Sequence, residues 1–347
     1  MPQLPAAPEM TRAYLASDAS YDGVFYLGVK TTGIFCRPSC RAKKPLPRNV
    51  EFFATPRQAS FAGYRPCKRC RPLEAPGKPP AWAAQLIEAI ERDPGTPIRE
   101  YQLRARGLDP ARVRRFFQNH YGMSFAAYCR GRRMSTAFHD IRQGHRVEDI
   151  ALGSGFASAS GFRAAYGKTF GDAPGKATAE PIRLAWLDSP LGPLVAAAND
   201  QGLLLLEFTE RRMLDKQFDA LRRYFGCAIV PGEHPYLTQI RRELDEYFAG
   251  RRRDFDVPLV YPGSEFQRSV WRALLTIPYG QTWSYEALAQ HVGRAGACRA
   301  VGTTNGLNRL AIVVPCHRVV NKSGKLGGYG GGLWRKQRLL ELEGVTL

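Results

Sequence analysis

No apolar run in these 347 residues approaches the roughly 20 that a membrane-spanning helix needs, so a helical membrane protein is excluded. The N-terminus is rich in Pro and Ala, with Glu9 ahead of the first arginine, and lacks the basic-then-apolar pattern of a secretory signal. The expectation is a chain that stays in the cytoplasm with its eight cysteines reduced. Disulfides are thereby set aside, and clustered cysteines read as metal ligands or nucleophiles. There is no long internal repeat. Acidic residues are scarce: 31 against 50 Lys and Arg, giving a net charge of +19 and a pI near 9.8, which points to a polyanionic partner. The excess is spread along the chain, with 13 basic against 5 acidic residues over 1–80, 15 against 9 over 81–178 and 22 against 17 over 179–347. Several nucleic-acid-facing surfaces fit that spread better than one basic tail, although charge alone is equally compatible with a generally basic protein.

The length suits two or three domains, each with its own core. Residues 71–80 are Pro-rich and read as an extended, semi-rigid linker. A second linker is expected over 172–181, where two prolines and a glycine stand among small residues.

The stretch with the most chemistry is Val313-Val-Pro-Cys316-His317-Arg318-Val-Val320. A thiol is a poor nucleophile until deprotonated, and an adjacent base or cation is what populates the thiolate. The flanks, Thr303 to Asn308 before and the glycine run 327–332 after, suit a reactive group on a short turn that a substrate approaches closely. A lone cysteine is more often a packing residue, but a Pro-Cys-His-Arg tetrad is uncommon, and from Phe266 to Gly344 the chain resembles the O6-alkylguanine-DNA alkyltransferases. The resemblance implies that Cys316 is the nucleophile and that His317 deprotonates it through a water, oriented by Glu343. It implies that Asn308 ties a helix-turn-helix to the active-site turn. Arg299 would fill the gap left by the rotated base, Tyr285 would handle the phosphate and the extruded base, and Tyr329 would line the pocket. It also places Arg318 among the side chains that contact substrate or DNA. A base altered at O6 lies inside the stack and must be rotated out, at a cost of a few kcal/mol. The resemblance puts the recognition helix in the minor groove, where readout is nearly sequence-independent. The resulting thioether has no leaving path, so each molecule acts once. Arg309 departs from the proline usual after that asparagine in the monofunctional enzymes.

Two close pairs, Cys36/Cys40 and Cys67/Cys70, lie 26 residues apart. Four thiols so spaced are a strong tetrahedral zinc signal, with an iron–sulfur site or four independent thiols as the alternatives. The surrounding Thr32-Gly-Ile-Phe-Cys36-Arg-Pro-Ser-Cys40-Arg and Gly63-Tyr-Arg-Pro-Cys67-Lys-Arg-Cys70 resemble the amino-terminal domain of the Ada family of DNA alkylation-response proteins. That resemblance implies that Cys36 takes a methyl group from a backbone methylphosphotriester, with Arg37 and Arg65 near the DNA. Four thiolates on Zn²⁺ carry a net charge of about −2, and methylation leaves −1. In water a unit charge about 7 Å from a phosphate contributes roughly 0.6 kcal/mol, so relief against two or three phosphates gives about 1–2 kcal/mol, near tenfold in affinity. A structural zinc knuckle is the bland alternative.

Between these ends the pattern is helical. Trp82, Leu86, Ile87 and Ile90 share one face of a helix stopped by Pro94-Gly95. Asp109-Pro110 caps a helix from Ala111 to His120 that ends at Gly122, and Ser124 caps the next, through Arg130, Arg132 and Arg133 to Gly144. A second unit runs Val147 to Leu152, turns at 153–156, and continues from Ala159 to Phe170. Gly155-Phe-Ala-Ser158-Ala-Ser160-Gly-Phe162-Arg163, closing at Gly171-Asp-Ala-Pro174, resembles the second helix-turn-helix of AraC-type regulators. By resemblance Arg112, Arg114 and Arg115 lie on the first recognition helix, and Ser158, Ser160 and Arg163 on the second. Gly161, where an aromatic is usual, and Gly167 depart from that family.

Strands are expected over Ile182–Asp188 and Leu194–Phe208 with a turn at 199–202, then helices over Arg211–Phe225 and Pro235–Phe248. No chemistry is read there. Helices are also expected at Phe266–Leu275, from Trp283, and over Ala297–Thr304. Cys129, Cys227 and Cys298 read as packing thiols.

Taken together, the resemblance implies a multidomain α/β protein. Its parts are a small α/β zinc domain with four cysteine ligands (1–78), an all-α AraC-type double helix-turn-helix domain (81–176), a ribonuclease H-like α/β subdomain (181–261) and a mostly helical alkyltransferase domain with a winged-helix-like helix-turn-helix (262–347). It implies suicide repair of O6-alkylguanine and, more weakly, O4-alkylthymine. It also implies one zinc ion and no organic cofactor, double-stranded damaged and promoter DNA as partners together with RNA polymerase, and a monomer associated with the nucleoid. Two rivals remain: a zinc-dependent regulator with an inert alkyltransferase half, and a cysteine hydrolase built on Cys316 and His317. The second lacks an evident oxyanion-hole motif, and its nucleophile and base would ordinarily come from distant segments.

Overall fold

The computed structural model describes residues 4–73, 79–121, 123–170, 172–176, 180–211 and 213–346. Gly122 and Gly171, expected as helix stops, lie outside the described residues, as do parts of both linker stretches. The chain divides at Pro80 into two compact units, and the 172–181 stretch lies within the second.

The first unit holds α1 (Ala7–Leu15), β1 (Tyr26–Val29), β2 (Ile34–Cys36), β3 (Val50–Phe53), α2 (Pro56–Phe61) and β4 (Arg65–Pro66). Its sheet runs β3-β1-β2-β4, with β1 antiparallel to both neighbours and β4 parallel to β2. Alternation along the strands gives two faces: Tyr26, Phe35 and Phe53 pack with Ala59, while Leu27 and Cys36 pack with Tyr14. Gly28 sits at the middle of β1, where a Cβ would lie 2.8 Å from the rings of Phe53 and Tyr64. Thr55 caps α2, accepting from the Gln58 amide at 3.1 Å.

The second unit begins with six helices, α3 (Ala81–Arg92), α4 (Glu100–Ala105), α5 (Pro110–Tyr121), α6 (Phe125–Arg142), α7 (Val147–Gly153) and α8 (Ala159–Phe170). The long α6 serves two cores. Its Tyr128 joins Leu86, Ile90, Leu103, Val113 and Phe117, while its Met134 and Phe138 join Ile150, Phe162 and Tyr166. Asp109 accepts from Ala111 N at 2.9 Å, Ser124 from Ala127 N at 3.2 Å and Ser158 from Gly161 N at 3.1 Å.

There follow β5 (Ile182–Leu187), β6 (Leu194–Asn199), β7 (Gly202–Phe208), α9 (Leu214–Phe225), β8 (Ile229–Pro231) and α10 (Pro235–Phe248). The sheet order is β7-β6-β5-β8, and every residue of β6 and β7 is buried. The three-residue β8, parallel to β5, is too short to read from periodicity. It lies beside α6, where Arg132 donates to Pro231 O at 3.0 Å and Arg183 to Ser135, and the Trp186 ring sits 3.9 Å from that of Tyr121.

The last part comprises α11 (Glu265–Leu275), β9 (Trp283–Ser284), α12 (Tyr285–His291), α13 (Cys298–Gly306), β10 (Val319–Val320) and α14 (Leu333–Leu342). Trp283 and Ser284, expected to open a helix, instead pair in parallel with Val319 and Val320; Ser284 caps α12, accepting from Ala287 N at 3.0 Å. No helix among the described residues is long and apolar enough to cross a membrane.

Candidate active site and metal centre

The parallel ladder of β2 and β4 sets Phe35 opposite Pro66, so the next residues, Cys36 and Cys67, fall side by side; Cys67 N donates to Phe35 O at 3.0 Å. Cys40 and Cys70 complete the set, and the four Sγ atoms lie within 4.8 Å of one another. Arg37 N donates to Cys70 Sγ at 3.4 Å, as backbone amides do toward thiolate ligands. Four soft sulfur donors with no carboxylate or imidazole among them fit a closed tetrahedral zinc site. This is the zinc centre of the first unit. Cys36, Cys40 and Cys67 are buried, and Arg41, Lys43, Arg65, Lys68, Arg69 and Arg71, near them in sequence, are all exposed. Arg37 is half-buried and donates to Arg71 O at 3.0 Å.

In the second unit Cys316, His317 and Arg318 form a single 3-10 turn leading into β10, all three buried. Asn308 reaches the turn from the end of α13: its Nδ2 donates to Val314 O at 2.8 Å and lies 3.0 Å from Cys316 Sγ, while its Oδ1 accepts from Leu310 N at 2.9 Å. Between them Ile312 takes a left-handed φ of 72°, a conformation a β-branched residue rarely adopts, with a cost of about 1–3 kcal/mol. Burial pushes the Cys316 thiol up, and the Asn308 hydrogen bond with the charges of Arg211 and Lys336 opposes it.

His317 is fully buried, with Nε2 2.9 Å from Glu343 Oε1. Burial pushes the Glu343 carboxyl up, but His317 and Arg318 outweigh it and hold it at about 2. An ionised carboxylate only accepts, so Nε2 carries the proton and Nδ1 is left with its lone pair. Nδ1 is buried and has no hydrogen-bond partner among the described residues. Burial also lowers the His317 pKa, against the pull of Glu343, so the ring is a neutral base.

Several expected contacts are placed differently. Arg318, expected at substrate or DNA, is buried. It spends its guanidinium on Glu343, at 2.8 and 2.9 Å, and on Ile277 O at 2.6 Å, because Glu343 would otherwise be an uncompensated interior charge. Arg112 is half-buried and lies 4.7 Å over the Trp82 ring, on the inner side of α5, whereas Arg114 and Arg115 are exposed. Ser158 is the cap of α8 and contacts Ser160 at 3.0 Å; Arg163 pairs with Glu148 at 2.8 Å on the surface. Arg299 is exposed on the first turn of α13. Tyr285 and Tyr329 are half-buried beside the glycine run, with Tyr285 Oη 3.4 Å from Gly328 O.

Four further residues of the site carried no signal in the sequence. Tyr247 donates to Glu343 Oε1 at 2.8 Å from α10, and Asn305 Nδ2 donates to Cys316 O at 3.3 Å. Lys336 on α14 is fully buried with its Nζ on Val319 O, and burial pulls it down to about 8. Arg211, from the part where no chemistry was read, donates to Asn308 O at 3.0 Å. These are ordinary polar residues whose partners lie far along the chain.

A thiol with a neutral histidine, a buried carboxylate and an amide on its sulfur defines a thiol-acceptor alkyltransferase site, here joined to a zinc domain and paired helix-turn-helix units. Four family models match: the metal binding domain of Ada over residues 9–73, a helix-turn-helix domain over 103–179, and the ribonuclease-like and DNA binding domains of 6-O-methylguanine DNA methyltransferase over 182–261 and 265–345. The bifunctional transcriptional activator/DNA repair enzyme Ada of Escherichia coli is 34% identical over 346 residues, covering 96% of this chain and 95% of that protein. The methylated-DNA–protein-cysteine methyltransferase of Mycobacterium bovis is 47% identical over 162 residues, 47% of this chain and 92% of its own. The crystal structure of Mycobacterium tuberculosis OGT in complex with DNA is similar at 45% identity and a TM-score of 0.41, over 46% of this chain and 92% of that one. The chain belongs to the Ada family.

Proposed function

We propose that this protein is a single-use DNA-repair methyltransferase that also activates transcription. Cys316 takes the alkyl group of O6-methylguanine, with O4-methylthymine a poorer substrate. Cys36 takes the methyl of a backbone methylphosphotriester. The observation that carries the reading is the buried set Asn308–Cys316 and His317–Glu343, within a chain related to Ada along nearly its whole length.

His317 Nδ1 accepts the Cys316 proton through a water, and Glu343 holds the ring in the tautomer that leaves Nδ1 free. The thiolate attacks the methyl carbon; the S–C bond forms, the C–O6 bond breaks, and its electron pair passes to the guanine. The thiol proton ends on the base, so guanine is restored and the protein keeps the thioether. Arg299 fills the stack, Tyr285 handles phosphate and base, and Tyr329 lines the pocket. Recognition of double-stranded DNA uses α13 here, and Arg114, Arg115 and Arg163 in the paired helix-turn-helix units. Arg318 acts inside, through Glu343.

In the first unit Cys36, Cys40, Cys67 and Cys70 would hold a zinc ion, which would keep their sulfurs deprotonated. Arg37 and Arg65 steer the backbone toward Cys36, and loss of one negative charge on methylation tightens binding to promoter DNA. The segments 1–78, 81–176, 181–261 and 262–347 carry these roles. The chain acts as a monomer, is associated with the nucleoid, and meets RNA polymerase at the promoter.

Peptide mass spectrometry after incubation with randomly methylated duplex DNA tests the reading. Methyl on both the Cys36 and Cys316 peptides is expected. Methyl on Cys316 alone removes the sensor, and methyl on neither leaves a DNA-binding regulator.

A further inference from the structure

Glu207, the penultimate residue of β7, is wholly buried, accepting from Phe208 N at 3.0 Å and from Gln217 Nε2 at 3.5 Å. Four residues on, the Arg211 side chain is 8% exposed and pairs with that carboxylate. The guanidinium then crosses to the catalytic part. Nη1 donates to Asn308 O at 3.0 Å and Nη2 to Gly306 O. Gly306 is the last residue of α13, where helix carbonyls have no intrahelical donor and the dipole favours a cation. The adjoining backbone is fixed too: Leu206 N donates to Arg309 O at 2.8 Å, and Ala311 N to Leu206 O at 2.7 Å. On its far side Arg309 donates to Pro262 O at 2.6 Å. Gly330 closes over the arginine so tightly that a Cβ would lie 2.6 Å from the guanidinium.

We propose that Arg211, anchored by Glu207, is a positioning residue for Cys316, fixing the Asn308 turn so that its amide stays on the thiol and α13 keeps its register with the nucleophile. A buried ion pair is a weak source of stability compared with apolar side chains of similar size, so its presence at this junction calls for a geometric role. The same guanidinium, with Lys336, favours the Cys316 thiolate; Tyr285 and Tyr329 lie within electrostatic reach of the sulfur, Asn308 donates to it and His317 adjoins it in the chain. The inference rests on Cys316 being the alkyl acceptor, and its test has a readout that does not need DNA.

Full-length wild type, Arg211→Met, Arg211→Lys and Glu207→Gln are compared in three ways. These are thermal melting, the pH profile of Cys316 alkylation by iodoacetamide read by peptide mass spectrometry, and single-turnover methyl transfer from an O6-methylguanine duplex. In Arg211→Met the alkylation profile is expected to move to higher pH and transfer to slow about 10–100-fold. Arg211→Lys keeps a charge without the two-handed grip, so it restores the profile while transfer stays slow. An Arg211→Met protein whose rate stays within twofold of wild type, or slows only in step with its melting while the profile stands still, overturns the proposal. If that variant does not fold, wild-type rates and profiles in both Arg211→Lys and Glu207→Gln overturn it. A wild type that never methylates Cys316, alongside a shifted Arg211→Met profile, sinks the functional reading instead.

Discussion

Arg318 donates through Nε to Oε2 of Glu343 and through Nη2 to Oε1, at 2.8 and 2.9 Å, in a pair wholly inside the protein. The same carboxylate takes His317, Tyr247 Oη and, at 3.4 Å, Gly280 N. One acidic side chain thus joins the active-site turn to α10, α14 and the loop before β9.

Breaking the pair from one side leaves a charge buried, and Arg318→Ala is expected to cost about 3–5 kcal/mol. Thermal melting reads this directly. Affinity for an undamaged duplex, measured on a Cys316→Ser background at a temperature where both proteins are folded, should not change. A selective loss of DNA binding would restore Arg318 to the DNA surface.

Acid should unfold the second unit early. Glu343 is held at about 2 against an ordinary 4.5, so its contribution is fully present above pH 4.5 and is lost as pH falls toward 2. The sign for His317 is the same: a folded pKa below 6.5 means that the unfolded chain takes up the proton first. Denaturant midpoints measured between pH 7 and 3 should therefore fall, with Glu343 contributing on the order of 2 kcal/mol over that range. Glu343→Gln should flatten the lower part of that curve.

Asn308→Asp keeps the size of the side chain and reverses its effect. A carboxylate beside the sulfur disfavours the thiolate, and Val314 O keeps only the Cys316 amide, which donates to it at 2.7 Å. Iodoacetamide labelling of Cys316 should move to higher pH, and methyl transfer should fall by at least tenfold. Labelling at the wild-type pH would remove Asn308 from the site.

Metal analysis should find one zinc per chain, lost in Cys40→Ser or Cys67→Ser. The four-sulfur cluster lies in one compact unit and Cys316 in the other, so these variants should still take methyl from O6-methylguanine at the wild-type rate. A parallel loss of both activities would show that the units depend on each other.

Trp186 packs between Tyr121 and Tyr128, at ring distances of 3.9 and 6.3 Å, where β5 meets the first helix-turn-helix core. Trp186→Ala removes a large, partly buried ring contact, and limited proteolysis should cut the 172–181 stretch several-fold faster than in wild type. An unchanged digestion rate would mean that this contact does not hold the two parts together.

The legible parts of the fold were those with strong periodicity and explicit stops. Ser124 capped its helix as expected, and the second unit's last helix has the expected bounds, Ala159–Phe170. The four zinc cysteines and Cys316 could be found because their spacing or neighbours are rare. What stayed hidden depends on tertiary pairing. Trp283-Ser284 is a strand only because Val319-Val320 lies alongside it, and β8 exists only because β5 offers a partner. The roles of Arg318 and Arg211 were invisible because an arginine in a basic chain reads as a surface charge until its carboxylate, Glu343 or Glu207, is located in space.

The two-residue β4 has its own consequence. It joins the sheet through only two residue pairs, and its place beside β2 is secured by the cysteines that follow each strand. A chain stripped of its metal would lose that outer strand first. Ile34 and Phe35 would then stand on an open sheet edge, a template for pairing with another molecule. Metal supply to this unit is thus also protection against aggregation, and a zinc-starved cell would meet alkylation damage with a sensor prone to stick to itself.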